Sequence, residues 1–165
     1  MRSMLILMLV ACAAEPRPLS LPTTPASSSQ TSFTVKVTGS GRPIIFIPGL
    51  SSSGSVWDAT VDHLGSRYQS HVVTLAGFAE NGGRPIAAPF LPTVRRELAS
   101  YIRAQKLDHP VLVGHSLGGF LALWLAATEP DLVGAAVVIE GAPYLAAMMD
   151  PSVTVDAMRP RAMEM

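Results

Sequence analysis

Short runs of branched and aromatic residues alternate with longer segments that are apolar on one face, from about residue 33 onward. The runs have the length of strands and are bounded by Gly, Pro and polar residues, whereas the longer segments have the apolar spacing of helices. Strands are predicted at 33–37, 44–47, 71–75, 111–113 and 135–139, and helices at 56–64, 93–106 and 117–128, with Thr93 as the N-cap of the second helix. This alternation predicts βαβ units and therefore an α/β fold, a three-layer αβα sandwich around a mostly parallel sheet.

The first twelve residues have the pattern of a secretory signal peptide. Arg2 provides a basic start, and Met4 to Ala11 form an apolar run that is too short to span a bilayer. The stretch ending in Leu9-Val10-Ala11-Cys12 resembles a bacterial lipobox, which implies acylation of Cys12 and a membrane partner through this lipid anchor. The alternative is ordinary signal cleavage near Ala13 or Ala14. In either case we expect export, to the outer membrane as a lipoprotein or to the periplasm or the extracellular space.

The rest of the chain divides into three further segments. Residues 13–31 are rich in Pro, Ser and Thr and poor in large apolar residues, which predicts a disordered linker. Residues 32–142 contain the predicted strands and helices and form one core, since domains usually run about 100 to 150 residues. Residues 143–165 have the character of the start of a lid or cap region.

Composition and charge exclude several classes of function. Twelve basic and twelve acidic residues cancel in a chain of 165 residues, so nothing points to nucleic acid as a partner, and a small apolar, uncharged ester or acyl compound is the expected substrate. The single cysteine rules out an intramolecular disulfide and a multi-cysteine metal site. The sequence implies no metal and no organic cofactor.

The chemistry concentrates where the predicted strand 111–113 meets the predicted helix 117–128. The connection contains Gly114-His115-Ser116-Leu117-Gly118, a Gly-x-Ser-x-Gly motif in the strand-turn-helix context of a nucleophile elbow. Such a turn is so tight that Gly114 and Gly118 are needed to avoid collisions around Ser116. The alternative, a Gly-rich turn of a dinucleotide-binding domain, lacks the Gly-x-Gly-x-x-Gly spacing.

A second motif precedes the elbow and carries a family resemblance. An apolar strand runs into Pro48-Gly49-Leu50, small residues and Trp57 follow, and together with Gly-His-Ser-Leu-Gly-Gly this order resembles the α/β-hydrolase superfamily over about residues 32–145. The resemblance implies an esterase-like or lipase-like serine hydrolase that acts on carboxylic esters or related acyl bonds through an acyl-enzyme at Ser116. It also implies an oxyanion hole formed by the backbone N–H groups of Leu50 and Leu117, with Ser51 as the second choice for the first donor. Pro48 stands where many family members have His, and Trp57 is expected to pack in the core.

The remaining members of a catalytic triad are not evident in the sequence. Family order is serine, acid, histidine, yet no histidine follows Ser116, and His63, His71, His109 and His115 all precede it, with structural or surface roles expected. Glu140 is a candidate for the acid, ahead of Asp150 and Asp156. The resemblance implies two more strands carrying the acid and the histidine, so we expect a truncated chain with little activity. A non-catalytic, hydrolase-like binding module is the alternative function, and acyl transfer or cofactor-free haloperoxidase chemistry is a further one.

Overall fold

A five-stranded, mostly parallel sheet organises the chain in the computed structural model, which describes residues 32–82, 85–86, 88–142, 154 and 156. The strands are β1 (Phe33–Thr38), β2 (Arg42–Ile47), β3 (Tyr68–Leu75), β4 (Val111–His115) and β5 (Ala135–Ile139). Their order across the sheet is β1-β3-β2-β4-β5. Only β1 runs antiparallel to its neighbour, and all the other pairs are parallel. The predicted mostly parallel sheet is confirmed, and each predicted strand has its counterpart.

Three α-helices connect these strands, namely α1 (Asp58–Leu64), α2 (Phe90–Ala104) and α3 (Leu117–Thr128). The helix predicted at 56–64 is divided, because Gly54–Trp57 forms a 3-10 turn before α1 begins. The start predicted for α2 is wrong, since the helix begins at Phe90 and Thr93 lies inside its first turn, where its hydroxyl donates to the Pro89 carbonyl. Pro92 does not prevent the earlier start, because N–H groups of the first turn have no acceptor within the helix.

Two apolar cores, one on each face of the sheet, make the three-layer arrangement. Alternate residues of β2 point to opposite faces, so Ile45 and Ile47 pack with α2 and α3, whereas Ile44 and Phe46 pack with Trp57 and the α1 side. Trp57 is buried and lies against Phe46, which confirms its predicted place in the core. The predicted three-layer αβα sandwich is therefore confirmed.

The two ends of the sequence lie largely outside the described residues. The predicted signal peptide at 1–12 with Cys12, the linker at 13–31 and nearly all of the segment 143–165 belong to this part. No helix in the described ranges is both long enough and apolar enough to cross a membrane.

A buried histidine lies inside the larger core. The His71 side chain is 2% exposed on β3, and its Nδ1 atom lies 2.6 Å from the Tyr101 hydroxyl of α2. Its other ring nitrogen, Nε2, has no hydrogen-bond partner within the part of the chain that the structure describes. Burial lowers the pKa of His71 to about 4 and raises the pKa of Tyr101 to about 12. Both groups are therefore neutral at physiological pH, which gives His71 a structural role.

Acidification is expected to destabilise the fold through His71. Its pKa lies below the ordinary value of 6.5, so the folded chain binds fewer protons than the unfolded chain below that pH. The contribution of neutral His71 to the free energy of unfolding is complete above about pH 6.5 and is lost as the pH falls towards 4. This loss is at most about 3 kcal/mol. Urea unfolding at about pH 7.5 and about pH 4.5 measures it.

The matched variants isolate this histidine from the carboxylates that also titrate in acid. His71→Leu should lose clearly less stability than the wild type over the same interval, whereas His63→Leu, at an exposed position, should behave as the wild type does. An NMR titration of His71 in the wild-type chain gives the pKa directly. If the stability of the wild type and of His71→Leu depended equally on pH, and His71 had an ordinary pKa, the destabilising role of His71 in acid would be contradicted.

Candidate active site

Ser116 forms the sharp turn between β4 and α3. Its backbone has φ 51° and ψ −114°, a conformation that residues with a side chain rarely adopt. Two hydrogen bonds hold the turn: the Ser116 N–H donates to the Ile139 carbonyl at 2.9 Å, and the Ser116 carbonyl accepts from the Phe120 N–H at 3.0 Å. The turn thus connects the end of β5 with the first turn of α3, and it has the backbone strain expected of a nucleophile elbow.

Glycines at 114 and 118 allow this turn to pack against the sheet. A Cβ atom on Gly114 would lie 2.2 Å from the Gly118 carbonyl oxygen, and one on Gly118 would lie 2.2 Å from the carbonyl oxygen of Ile47. Both contacts are with backbone, which cannot rotate away as a side chain can. Glycine is therefore required at both positions, as predicted. At Gly118 the nearest atom in the way belongs to β2 and not to the elbow itself.

A second turn meets Ser116 because β2 and β4 are adjacent parallel strands. Ile47 pairs with Gly114, so the residues that follow each strand emerge at the same edge of the sheet. A Cβ atom on Gly49 would come within 3.5 Å of the Ser116 Cβ and 2.8 Å of the His115 Nδ1 atom. The turn is closed by the Ser52 N–H, which donates to the Gly49 carbonyl at 3.2 Å.

The backbone N–H groups of Leu50 and Leu117 belong to the two turns and have no hydrogen-bond acceptor among the described residues. Within the described ranges, neither group donates to a protein atom, and the same holds for the N–H of Ser51, which has a positive φ of 59°. Leu117 is the first residue of α3, where the helix dipole favours negative charge. A developing negative charge on a substrate oxygen next to Ser116 could accept hydrogen bonds here.

His115 and Glu140 form a pair next to the elbow. The His115 Nε2 and Glu140 Oε2 atoms are 3.4 Å apart, and their side chains are 39% and 82% exposed. Glu140 has a positive φ of 49°. It follows β5, which is parallel to β4 with Ile139 opposite His115, so it lies at the same edge of the sheet as Ser116. Its partner is nevertheless a histidine that makes no hydrogen bond to Ser116.

The other candidates for base and acid lie elsewhere. His63 is exposed on α1, His71 is buried in the core, and the His109 ring contacts Asp108 at 2.6 Å. Asp156 is exposed, and Asp150 lies outside the described residues. Within the described ranges, no three His, Cys, Asp or Glu side chains are grouped so that they could hold a metal ion.

Two polar residues near the second turn are not evident from sequence alone. Thr74 is 5% exposed near the end of β3, and its hydroxyl accepts from the Gly54 N–H at 2.9 Å. Glu80 accepts from the hydroxyls of Ser53 and Thr74. A threonine in the otherwise apolar run Val72-Val73-Thr74-Leu75 is the only sequence signal of this cluster.

Gly118→Ala is expected to destabilise the chain by about 3 kcal/mol, because its methyl group would overlap the Ile47 carbonyl. Urea unfolding measures the change. Gly82→Ala is the matched control, since Gly82 has φ −57° and its nearest neighbour to a new Cβ, the Ala79 carbonyl oxygen, is 3.1 Å away. This control should lose less than about 1 kcal/mol. Equal losses in the two variants would contradict the close approach of α3 to β2.

Ser116→Gly is expected to be more stable than Ser116→Ala by about 1 kcal/mol. Glycine relieves the strain of a positive φ, and this gain exceeds the entropy that glycine loses on folding. The two variants are compared by urea unfolding. The same pair at Ser66, which is exposed and has no positive φ, should show the opposite order. A Ser116→Ala variant as stable as Ser116→Gly would mean that the turn is not strained.

Comparison with known proteins agrees with this geometry. Over 120 residues the chain is 32% identical to the pimeloyl-[acyl-carrier protein] methyl ester esterase of Aliivibrio salmonicida, a match that covers 71% of this chain and 42% of that protein. It is 32% identical over 102 residues to a candidate carbamate hydrolase, RutD, of Serratia proteamaculans, covering 62% of this chain and 38% of that one. The solved structure of E-2-(acetamidomethylene)succinate hydrolase aligns with a TM-score of 0.60 at 26% identity, covering 79% of this chain and 60% of that chain.

Each match covers a larger share of this chain than of the other protein. The chain spans less than half the length of the curated relatives named above. A family model for the alpha/beta hydrolase fold matches residues 42–165, which include both turns and the elbow serine. The chain therefore belongs to the α/β-hydrolase superfamily.

Proposed function

We propose that this chain carries the nucleophile and the oxyanion hole of a serine hydrolase that acts on carboxylic esters. The observation that carries the proposal is the strained backbone of Ser116 at the N-terminus of α3, beside the Gly49 turn. Similarity to an esterase supports the proposal from outside the chain. An ester of a small, apolar acyl compound suits the site, because Leu50 is 66% exposed and Ile139 is 41% exposed near the same edge.

The proposed reaction proceeds in two steps through an acyl-enzyme. The Ser116 Oγ attacks the acyl carbon while its proton passes to a base, and the substrate oxygen becomes negative. The N–H groups of Leu50 and Leu117 stabilise this charge, the bond to the alcohol breaks, and the alcohol leaves with the proton. Water then attacks the acyl-serine by the same route, which releases the acid and restores the hydroxyl of Ser116.

The general base is the group that we expect to limit the rate of ester hydrolysis. A serine hydroxyl is a poor nucleophile near neutral pH without a base in hydrogen-bond reach. None of the four histidines is hydrogen-bonded to Ser116. General base catalysis contributes about 10² to 10⁴ in rate, so we expect the 165-residue polypeptide alone to turn over esters slowly.

A non-catalytic, hydrolase-like binding module is the second candidate. The same observation favours it, namely that Ser116 has no histidine partner among the residues described. An oxyanion hole without a base could still bind the carboxylate or carbonyl group of a small ligand.

The location of the protein also enters the proposal. We propose that Cys12 is acylated and that residues 13–31 act as a tether between the lipid and the folded part of an exported protein. The apolar run before Cys12 and the Pro-, Ser- and Thr-rich composition after it support this arrangement.

Covalent labelling with a fluorophosphonate tests the proposed nucleophile. Ser116 should be labelled slowly in the wild type, and added imidazole, which supplies a base, should accelerate labelling about tenfold. The labelled peptide is identified by mass spectrometry. Ser116→Ala should show no labelling at this peptide with or without imidazole.

Ser66→Ala is the matched control, because Ser66 is an exposed serine outside both turns and its variant should label as the wild type does. Label spread over several serines, or none on Ser116 in the presence of imidazole, would reject the nucleophile and favour the binding module. Brisk ester hydrolysis without imidazole that disappears in Ser116→Ala would reject the expectation of slow turnover.

A further inference from the structure

The segment that follows β2 is attached to the sheet at a point beyond the proposed oxyanion donor. This segment, residues 48–55, is called the donor loop here. The Gly54 N–H donates to the Thr74 hydroxyl on β3 at 2.9 Å. A Cβ atom on Gly54 would lie 2.8 Å from the Val72 Cγ1 and 2.9 Å from the Val73 carbonyl oxygen. The backbone of the donor loop therefore lies directly on β3, with no room for a side chain between them.

One carboxylate oxygen connects the donor loop with β3. The Glu80 Oε1 atom accepts from the Ser53 hydroxyl at 2.9 Å and from the Thr74 hydroxyl at 3.0 Å. The hydrogen bond from Ser53 is the main cause that lowers the pKa of Glu80. Glu80 is therefore ionised at neutral pH and can only accept hydrogen bonds.

This charge fixes the direction of every hydrogen bond in the cluster. Because both hydroxyls direct their protons to Glu80, their lone pairs remain available to the donor loop. Thr74 uses them to accept from the Gly54 N–H, and Ser53 accepts from the Ser55 N–H at 3.1 Å. One carboxylate thereby satisfies two hydroxyls and, through them, two backbone N–H groups of the loop.

Glu80 is itself held in place by its neighbour in the chain. It lies in the 3-10 turn Ala79–Asn81, and the Asn81 side-chain amide donates at 2.8 Å both to the Thr34 hydroxyl and to the Thr74 carbonyl. Asn81 thus attaches this turn, and with it the backbone of Glu80, to β1 and β3. The turn that carries Glu80 therefore has attachments to the sheet that do not pass through the donor loop.

We propose that Glu80 is a positioning residue, which holds the donor loop on β3 so that the Leu50 N–H stays beside Ser116. At one end the loop backbone packs so closely on His115 that a Cβ atom on Gly49 would lie 2.8 Å from its Nδ1 atom, and at the other end hydrogen bonds of Ser53 and Gly54 attach the loop. Leu50 lies between these two points, and the Ser52 hydroxyl donates to its carbonyl at 3.4 Å. This role rests on the proposed function, because the Leu50 N–H matters only if it stabilises an oxyanion.

The experiment compares Glu80→Ala with the wild type in two measurements. Amide hydrogen exchange of Gly54 and Ser55 reports the attachment of the loop, and the fluorophosphonate reaction with imidazole reports the reactivity of Ser116. Exchange at both amides should rise at least tenfold, whereas Ile45 and Val73 in the sheet should keep their protection. The maximal labelling rate should fall about tenfold, with little change in the half-saturating probe concentration, since complete loss of an oxyanion donor costs about 10² to 10³ in rate.

Two further variants separate positioning from general stability. Glu80→Gln keeps an acceptor oxygen and should restore most of the labelling rate and of the protection. Asp131→Ala, which removes an exposed carboxylate far along the chain, should match the wild type in both measurements. A Glu80→Ala variant that matches Asp131→Ala, or that raises exchange equally throughout the sheet, would overturn the proposal.

The two measurements also distinguish this proposal from the proposed function. Hydrogen exchange needs no reactive serine, so unlabelled Ser116 in the wild type would reject the hydrolase, and with it the catalytic purpose of the loop. Increased loop exchange in Glu80→Ala without any change in the labelling rate would instead reject only the positioning role of Glu80.

Discussion

The close approach of α3 to the end of β2 is the constraint on which the site depends. Gly118 packs directly on the Ile47 carbonyl, so the N-terminus of the helix lies where β2 ends and the second turn begins. The same approach forces the chain at Ser116 into a positive φ, since β4 must turn into the helix within one residue. Backbone contact thus brings a hydroxyl, a helix terminus and a second turn together.

Features of this kind are largely predictable from sequence, because their signals are local. Strand runs, the apolar helix 117–128 and the Gly-x-Ser-x-Gly motif each lie within a few residues, and α3 and β5 have the bounds that the pattern predicts. Parallel pairing of β2 and β4 follows from the alternation of strands and helices. Once the strands are parallel neighbours, the turns after Ile47 and after His115 must meet at one edge of the sheet.

Long-range polar contacts could not be predicted in this way. Nothing near His71 in the sequence identifies Tyr101 as its partner, because the two residues meet only when α2 packs on the sheet. The same holds for Ser53 and Glu80, which lie 27 residues apart. The start of α2 differs from the prediction for a related reason. Thr93 has the side chain of an N-cap, but the helix begins earlier, at Phe90, where Phe90 and Leu91 pack against the core.

His115 shows why neighbours in sequence need not be partners in chemistry. His115 precedes Ser116 directly, yet its hydrogen-bond partner is Glu140, and its imidazole lies where a Cβ atom on Gly49 would collide with it. Glu140 can orient a histidine, but the one that it contacts is not hydrogen-bonded to the serine. An acid contributes to a triad only through the base between it and the nucleophile. Within the described residues, His115 is paired with Glu140 and packed close to the Gly49 turn, and Ser116 has no histidine as a hydrogen-bond partner.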